Sequence, residues 1–232
     1  MITTVVQTAA EGIARETAML QSGRPAMVLW RASEPAVVLP EALTRRAAFA
    51  AAAKNAEDHG WIVTTRRSGG GLVPQGPDTL NLALVLPCPD RFTTDDGYRF
   101  ICGAITEALS RFDITSTTGA RKNAFCDGAW NVLVQNRKLA GTAQRWRATP
   151  QGRVALIHAA ILTQTPKSEL WPVLQDLHKR VLPSEPLPQA NAHIALDQVL
   201  PSMMHFSKFP GALARAVEDR LRLYARRKED MV

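Results

Sequence analysis

Two stretches of the chain carry residue types that can hold an anion and do chemistry on it. The first is RRSGGG, residues 66–71, between two strand-like segments. Glycine loses more backbone entropy on folding than any other residue, and a hairpin needs one or two at most. Three in a row mark a backbone that something approaches closely. Gly69, Gly70 and Gly71 can turn their N–H groups toward an anion, as a nest does. Arg66 and Arg67 point to opposite faces if the strand runs on, so one can face a ligand while the other faces outward. A wide bulge explains the same residues without a ligand. The second stretch is NRKLAGTAQRWR, residues 136–147. Lys138 opens a strand, and Gly141 inside that strand is a common mark of close approach. Gly141, Thr142 and Ala143 keep the surface low beside a lysine that can place a point charge on a phosphate or carboxylate. A solvated lysine at a hairpin mouth is the alternative.

The hydrophobic pattern supplies the elements that must position these residues. Residues 8–21 read as a helix with Ile13, Met19 and Leu20 on its buried side, ended by Gly23 and Pro25. AMVLWRA and PAVVLP read as strands, residues 44–59 as a helix capped by Gly60, and WIVTTRR as a strand entering the glycine loop. In DTLNLALVLP, Leu80, Leu82, Leu84 and Leu86 alternate with the period of a strand. The glycine loop therefore joins strand to strand, unlike a Rossmann fingerprint or a P-loop, which open a helix. Residues 95–112 read as a helix, followed by strands over 130–135, 138–147 and 154–162. Asn136-Arg137 is the expected hairpin turn and ATPQG the next. Helices are expected over 168–181, 190–200 and 210–227, with 183–188 as a linker. The sum is an α+β fold, a mixed β-sheet with flanking helices. The expected division is a catalytic unit over 1–182 and a helical C-terminal extension over 183–232 packed on it.

Apolar residues make up 46% of the 232, enough for a sizeable core. The net charge of +7 favours an anionic partner without choosing among nucleotide, nucleic acid and acidic protein. Nucleic acid is disfavoured, since no aromatic interleaving or zinc pattern accompanies the basic run that ends in Arg226, Arg227 and Lys228. Cys88, Cys102 and Cys126 form no disulfide framework or metal spacing, which suggests a reducing compartment. His59, His178, His193 and His205 are scattered and suggest no metal set. With no signal-peptide pattern in MITTVVQTAAEG and no long apolar run, the expectation is a cytoplasmic protein with no membrane association.

Taken together, RRSGGG and RKLAGTAQR resemble the lipoate-protein ligase family, within the group of biotin and lipoate ligases and octanoyltransferases. PAMVLWRASEPAVVLP is similar to the family's opening strand pair, and GRVALIHAAILTQ to the strand after its lysine hairpin. The resemblance covers residues 8–164. It implies the biotin/lipoate protein ligase-like fold, which is class II synthetase-like. It also implies a reaction: ATP with Mg2+ activates lipoate or octanoate to the acyl-adenylate, and the acyl group passes to a lysine of an acidic lipoyl carrier domain. By resemblance, Arg66, Gly71, Leu72, Val73 and Pro74 hold the nucleotide. Lys138 is the catalytic residue, touching both acyl carboxylate and phosphate. Arg67, Ser68, Gly69, Gly70, Gly141, Thr142, Ala143 and His158 surround the substrate. Leu82, Leu84 and Val132 are candidates for an apolar acyl tunnel.

The chain departs from that pattern in three places. Pro74-Gln75-Gly76 stands where ligases read His-Asp. The 232 residues leave no room for a full copy of the additional C-terminal domain of many ligases, so either a separate accessory protein supplies it or activation is not this chain's task. Thirdly, Cys126, in NAFCDGAWNVLVQNRK, loosely resembles the nucleophile of the octanoyltransferase branch. There a thioester intermediate replaces ATP, and Arg121 and Lys122 could activate the thiol. A structural cysteine is the alternative. A catalytically degenerate relative that only binds an acyl group or nucleotide is the third reading. His158 in LIHAAIL is either a satisfied core histidine or a ligand contact, and Asp127 either a turn former or a group orienting an acceptor lysine.

Overall fold

Period-two alternation builds the centre of the molecule. In the computed structural model, which describes residues 3–150, 152–200 and 202–229, the chain runs β1 (Thr4–Val6), α1 (Ala9–Ser22), β2 (Ala26–Ala32), β3 (Ala36–Pro40), α2 (Phe49–Asp58), β4 (Ile62–Arg66), β5 (Val73–Gln75) and β6 (Thr79–Cys88). It continues α3 (Thr94–Ser110), β7 (Thr117–Gly119), β8 (Asn131–Val134), β9 (Arg137–Thr149), β10 (Gly152–Leu162), α4 (Leu170–Val181) and α5 (Met203–Glu229). Seven strands form one sheet in the order β1-β2-β6-β10-β9-β8-β7, and three form a second in the order β4-β3-β5. Both are mixed: β1 is parallel to β2 and β3 to β4, whereas β6 pairs antiparallel with β2 and β10. The fold is α+β with a mixed sheet, as the sequence pattern requires.

The large sheet is buried on both faces, so β6 is apolar along nearly its whole length. Leu80, Leu82, Leu84 and Leu86 join Ala155 and Ile157 of β10 against Ile101 and Ile105 of α3 and Leu213 and Val217 of α5. On the opposite face Ala83, Val85, Val154 and Leu156 pack with Leu20 of α1. Helix α1 starts at Thr8, whose side chain accepts from the Glu11 N–H, and ends at Gly23 in the left-handed region (φ 66°). It lies close to β2 because Gly12 has no side chain; a Cβ there would come within 2.3 Å of the Trp30 ring. The small sheet packs Val37 and Leu39 on Ala52 of α2 and Leu174 and Leu177 of α4.

Four expectations are corrected. The helix over 44–59 divides into a 3-10 turn (Glu41–Arg45) and α2. Residues 190–200 are not one helix but two 3-10 turns, Ala190–Ala192 and Leu196–Gln198. Between them the chain extends, because Ile194 N–H donates to the Lys138 carbonyl at 3.0 Å and His193 bridges Lys138 in parallel. The β8–β9 turn is Gln135-Asn136, one residue earlier than expected; both residues are left-handed (φ 50° and 56°), the signature of a type I′ turn. Helix α5 begins before Pro210 and runs through it, carried by Phe209 and Leu213 in the core. Met1, Ile2, Gln151 of the ATPQG turn, and the side chains of Arg226, Arg227 and Lys228 lie outside the described residues. Among the described residues, no helix is long and apolar enough to cross a membrane.

Candidate active site

The two sheets and α1 enclose a pocket with about 570 Å³ of empty space, including its open mouth. Its floor is a row of register neighbours across four strands: Gly141, Ala160, Asn81 and Trp30. The small sheet covers it with Val38, Arg66, Val73 and Gln75, and α1 contributes Ile13 and Glu16. At one end stand Phe125, Cys126 and Lys138.

Lys138 lies just inside β9 and is 1% exposed. Its ammonium donates to the carbonyls of Phe125 at 2.7 Å and Cys126 at 2.6 Å and sits 5.2 Å from the Phe125 ring centre. A Cβ on Gly141 would come within 3.0 Å of Nζ, so the glycine makes room for the lysine itself. Burial pulls the Lys138 pKa down to about 8, against an opposing pull from Cys126 and Asp127. Asp127 accepts from the N–H groups of Arg121 and Gly128 and from the Asn131 amide, and so shapes the loop that carries Cys126.

Cys126 is the partner that the glycine loop accommodates. Gly71 N–H donates to its sulfur at 3.0 Å, and the Arg66 guanidinium lies 3.9 Å from that sulfur. A Cβ on Gly70 would come within 2.7 Å of Sγ, and one on Gly71 within 3.2 Å of the Cys126 Cα. Gly70 is itself in a positive-φ conformation (103°). Arg66 is 7% exposed and clamps the loop, donating to the carbonyls of Val38, Gly69 and Gly71. Arg67 takes the other face and meets Glu41 at 3.4 Å on the surface.

Two polar assemblies also line the pocket. His158 Nδ1 lies 2.8 Å from Glu16 Oε2, and its Nε2 lies 3.0 Å from the Ser68 hydroxyl. Glu16 is 3% exposed and also accepts from the Trp30 indole N–H at 2.8 Å. Gln75 and Asn81, both buried, exchange reciprocal amide hydrogen bonds of 2.9 and 2.8 Å.

The pocket thus gathers Arg66, Val73, Gly141, Thr142, Ala143, His158, Cys126 and Lys138, with Gly70 and Gly71 against the cysteine. Other expected residues lie elsewhere. Leu72 is wholly buried in the core beneath the small sheet, and Pro74 lines a separate groove with Trp61 and Pro77. Arg67 faces away. Ser68 reaches the pocket only through His158, and Gly69 only through its carbonyl to Arg66. Leu82, Leu84 and Val132 belong to the core under α3, so the acyl-tunnel expectation falls on the wrong face of the sheet. Alternation identifies two faces; it does not say which carries the site.

The sequence did not single out His193. Its Nδ1–H donates to the Gln189 carbonyl at 2.8 Å, and its Nε2 accepts from the Phe125 N–H at 3.1 Å. The ring stacks on Phe125 with centroids 4.2 Å apart. Burial pushes its pKa down to about 3, so it remains a neutral acceptor that fixes the carbonyls Lys138 binds. Among the described residues, no group of three His, Cys, Asp or Glu side chains is arranged to hold a metal ion.

The Lys138 ammonium and the glycine loop both bind the Cys126 loop, in a mixed-sheet domain of the acyl-protein ligase and transferase class. The chain belongs to the lipoyl protein ligase A/B catalytic domain family, which it matches over residues 8–218. It is 37% identical over 154 residues to the uncharacterized protein H16_B0148 of Cupriavidus necator, covering 60% of each chain. It is 30% identical over 187 residues to the octanoyl-[GcvH]:protein N-octanoyltransferase of Kyrpidia tusciae, covering 76% of this chain and 65% of that one. The chain thus spans 60–65% of the length of these two curated relatives. Its fold matches the bipartite lipoate protein ligase of Thermoplasma acidophilum with a TM-score of 0.67 at 18% identity, covering 95% of this chain and 82% of the other.

Proposed function

We propose that this chain moves an octanoyl or lipoyl group from one lipoyl carrier protein to a lysine of another, through a thioester on Cys126 and without ATP. The observation that carries the reading is the placement of the Cys126 sulfur in the pocket, with the Gly71 N–H aimed at it and the Arg66 guanidinium beside it. A negative charge on sulfur is stabilised by such preset donors in a site shielded from water. The acyl carbonyl carbon is attacked by sulfur; a C–S bond forms, and the bond to the donor carrier's nitrogen breaks as that amine takes a proton. The acceptor lysine amine then attacks the thioester; a C–N bond forms and sulfur recovers its proton. Lys138, whose pKa burial lowers to about 8, lines the Cys126 end of the pocket and is the group assigned to give and take these protons. The similarity to an octanoyl-[GcvH] transferase supports a GcvH-type carrier as donor. Transfer in the cytoplasm is part of the proposal.

Activation of lipoate by ATP and Mg2+ is the second reading, and a buried lysine lining the same pocket as Arg66 favours it. The groups expected to hold the nucleotide fit it less well: Arg66 and the Gly71 N–H are already engaged by Val38, the loop carbonyls and Cys126. The test is incubation with octanoylated carrier, followed by peptide mass analysis and transfer to a second carrier. The expected result is one octanoyl group on Cys126, transfer without nucleotide, and loss of both in Cys126→Ala. Transfer that needs ATP and survives Cys126→Ala would establish the ligase reading in its place.

A further inference from the structure

The pocket has a polar far wall that thioester chemistry does not require. Its floor crosses four strands, from Gly141 on β9 through Ala160 and Asn81 to Trp30 on β2. Two inter-strand spacings, roughly 10 Å, separate Gly141 from Asn81 on that row. The reacting end is fixed by Lys138, whose ammonium packs against Gly141, and by Cys126. Small side chains at Gly141 and Ala160 leave the floor open beside the reacting groups, and the covering strands add Val38 and Val73. Farther along, the floor rises at Asn81, whose amide is locked to Gln75 of the opposite sheet by two hydrogen bonds. The pair bridges the two sheets across the path of any straight chain lying on the floor. Neither amide can swing aside cheaply, because doing so strands a buried partner.

We propose that the Gln75–Asn81 amide pair is the end stop of the acyl pocket, so that it sets the length of acyl chain the protein accepts. The inference rests on the proposed Cys126 acylation and adds to it a pair of specificity-determining residues. The accepted substrates are medium-chain acyl groups whose tail ends at the pair. Longer chains meet the bridged amides and are rejected, at about tenfold or more per excess methylene. Gln75 stands where the sequence departs from the ligase pattern, which gives that departure a role in substrate choice.

The test measures the rate of Cys126 acylation by mass spectrometry, using carrier donors bearing hexanoyl, octanoyl, decanoyl and dodecanoyl groups. Wild type is expected to fall sharply beyond its preferred length. The double variant Gln75→Ala/Asn81→Ala removes both amides together, leaving neither unpaired, and is expected to raise the decanoyl-to-octanoyl ratio at least about tenfold. Ala160→Leu, one strand nearer the sulfur, should shift the preference toward hexanoyl and serves if the double variant fails to fold. An unchanged length profile in a folded, acylated variant overturns the end stop while leaving Cys126 acylation intact. Absence of acylation of wild type by every donor overturns both.

Discussion

Lys138 is a charged side chain held where water cannot reach it. Among the described residues its ammonium has two carbonyl acceptors and an aromatic face but no carboxylate in hydrogen-bond contact, and its pKa falls to about 8 from the ordinary 10.5. Between pH 8 and 10.5 the unfolded chain binds a proton that the folded chain has released, so this residue makes stability rise with pH there. Cys88 and Cys102, pushed up to about 11 by burial, act oppositely above pH 9, so the variant must be compared with wild type. Denaturant titrations of wild type and Lys138→Gln at pH 7.5, 9 and 10.5 are expected to differ with pH by at most about 1.4 kcal/mol per unit. A difference independent of pH would mean that folding leaves the Lys138 pKa at its ordinary value. Lys138→Gln should also slow acyl transfer by about 100-fold or more, the range lost with a general acid–base group.

At the scale of elements, the segment after α4 reaches into the site. Residues expected to be an appended helix instead lay His193 and Ile194 along the start of β9 and beneath the Cys126 loop. Replacing His193 with Phe keeps a ring for stacking but strands the Phe125 N–H; replacing it with Gln offers an acceptor without the ring. Transfer is expected to fall more in His193→Phe than in His193→Gln, with the loss in kcat rather than KM. Equal losses in the two would assign His193 a packing role alone. The same segment shows why part of the site was hidden in the sequence. The glycine loop and Lys138 were legible because each needs an unusual local composition. His193, Glu16 and the Gln75–Asn81 pair are ordinary residues that gain their roles from partners across sheet boundaries or far along the chain. The longer strands were legible, β2 down to its bounds as AMVLWRA, whereas β1, β5 and β7, three residues each, are too short to carry a pattern; the face carrying the site depends on where α1 and the small sheet dock.

At the scale of the whole molecule, a net charge of +7 surrounds a pocket whose proposed substrates arrive on another protein. Encounter with an acidic carrier should be electrostatically steered, and such steering weakens as salt shortens the Debye length to about 8 Å at physiological strength. Transfer at subsaturating carrier should slow several-fold between 20 and 200 mM salt, with kcat little changed, when followed by the appearance of acylated acceptor. A salt-independent kcat/KM would remove charge from the recognition.

Cys126 holds its backbone at φ 47°, a region that glycine enters freely and other residues enter at a penalty. A glycine there would relieve that penalty and forfeit the thiol. Cys126→Gly should therefore be more resistant to denaturant than Cys126→Ala by about 1 kcal/mol, although both lack sulfur. On the proposed reading, the chain tolerates a standing deficit in its own durability to keep its nucleophile at the bend, much as a spring is left cocked.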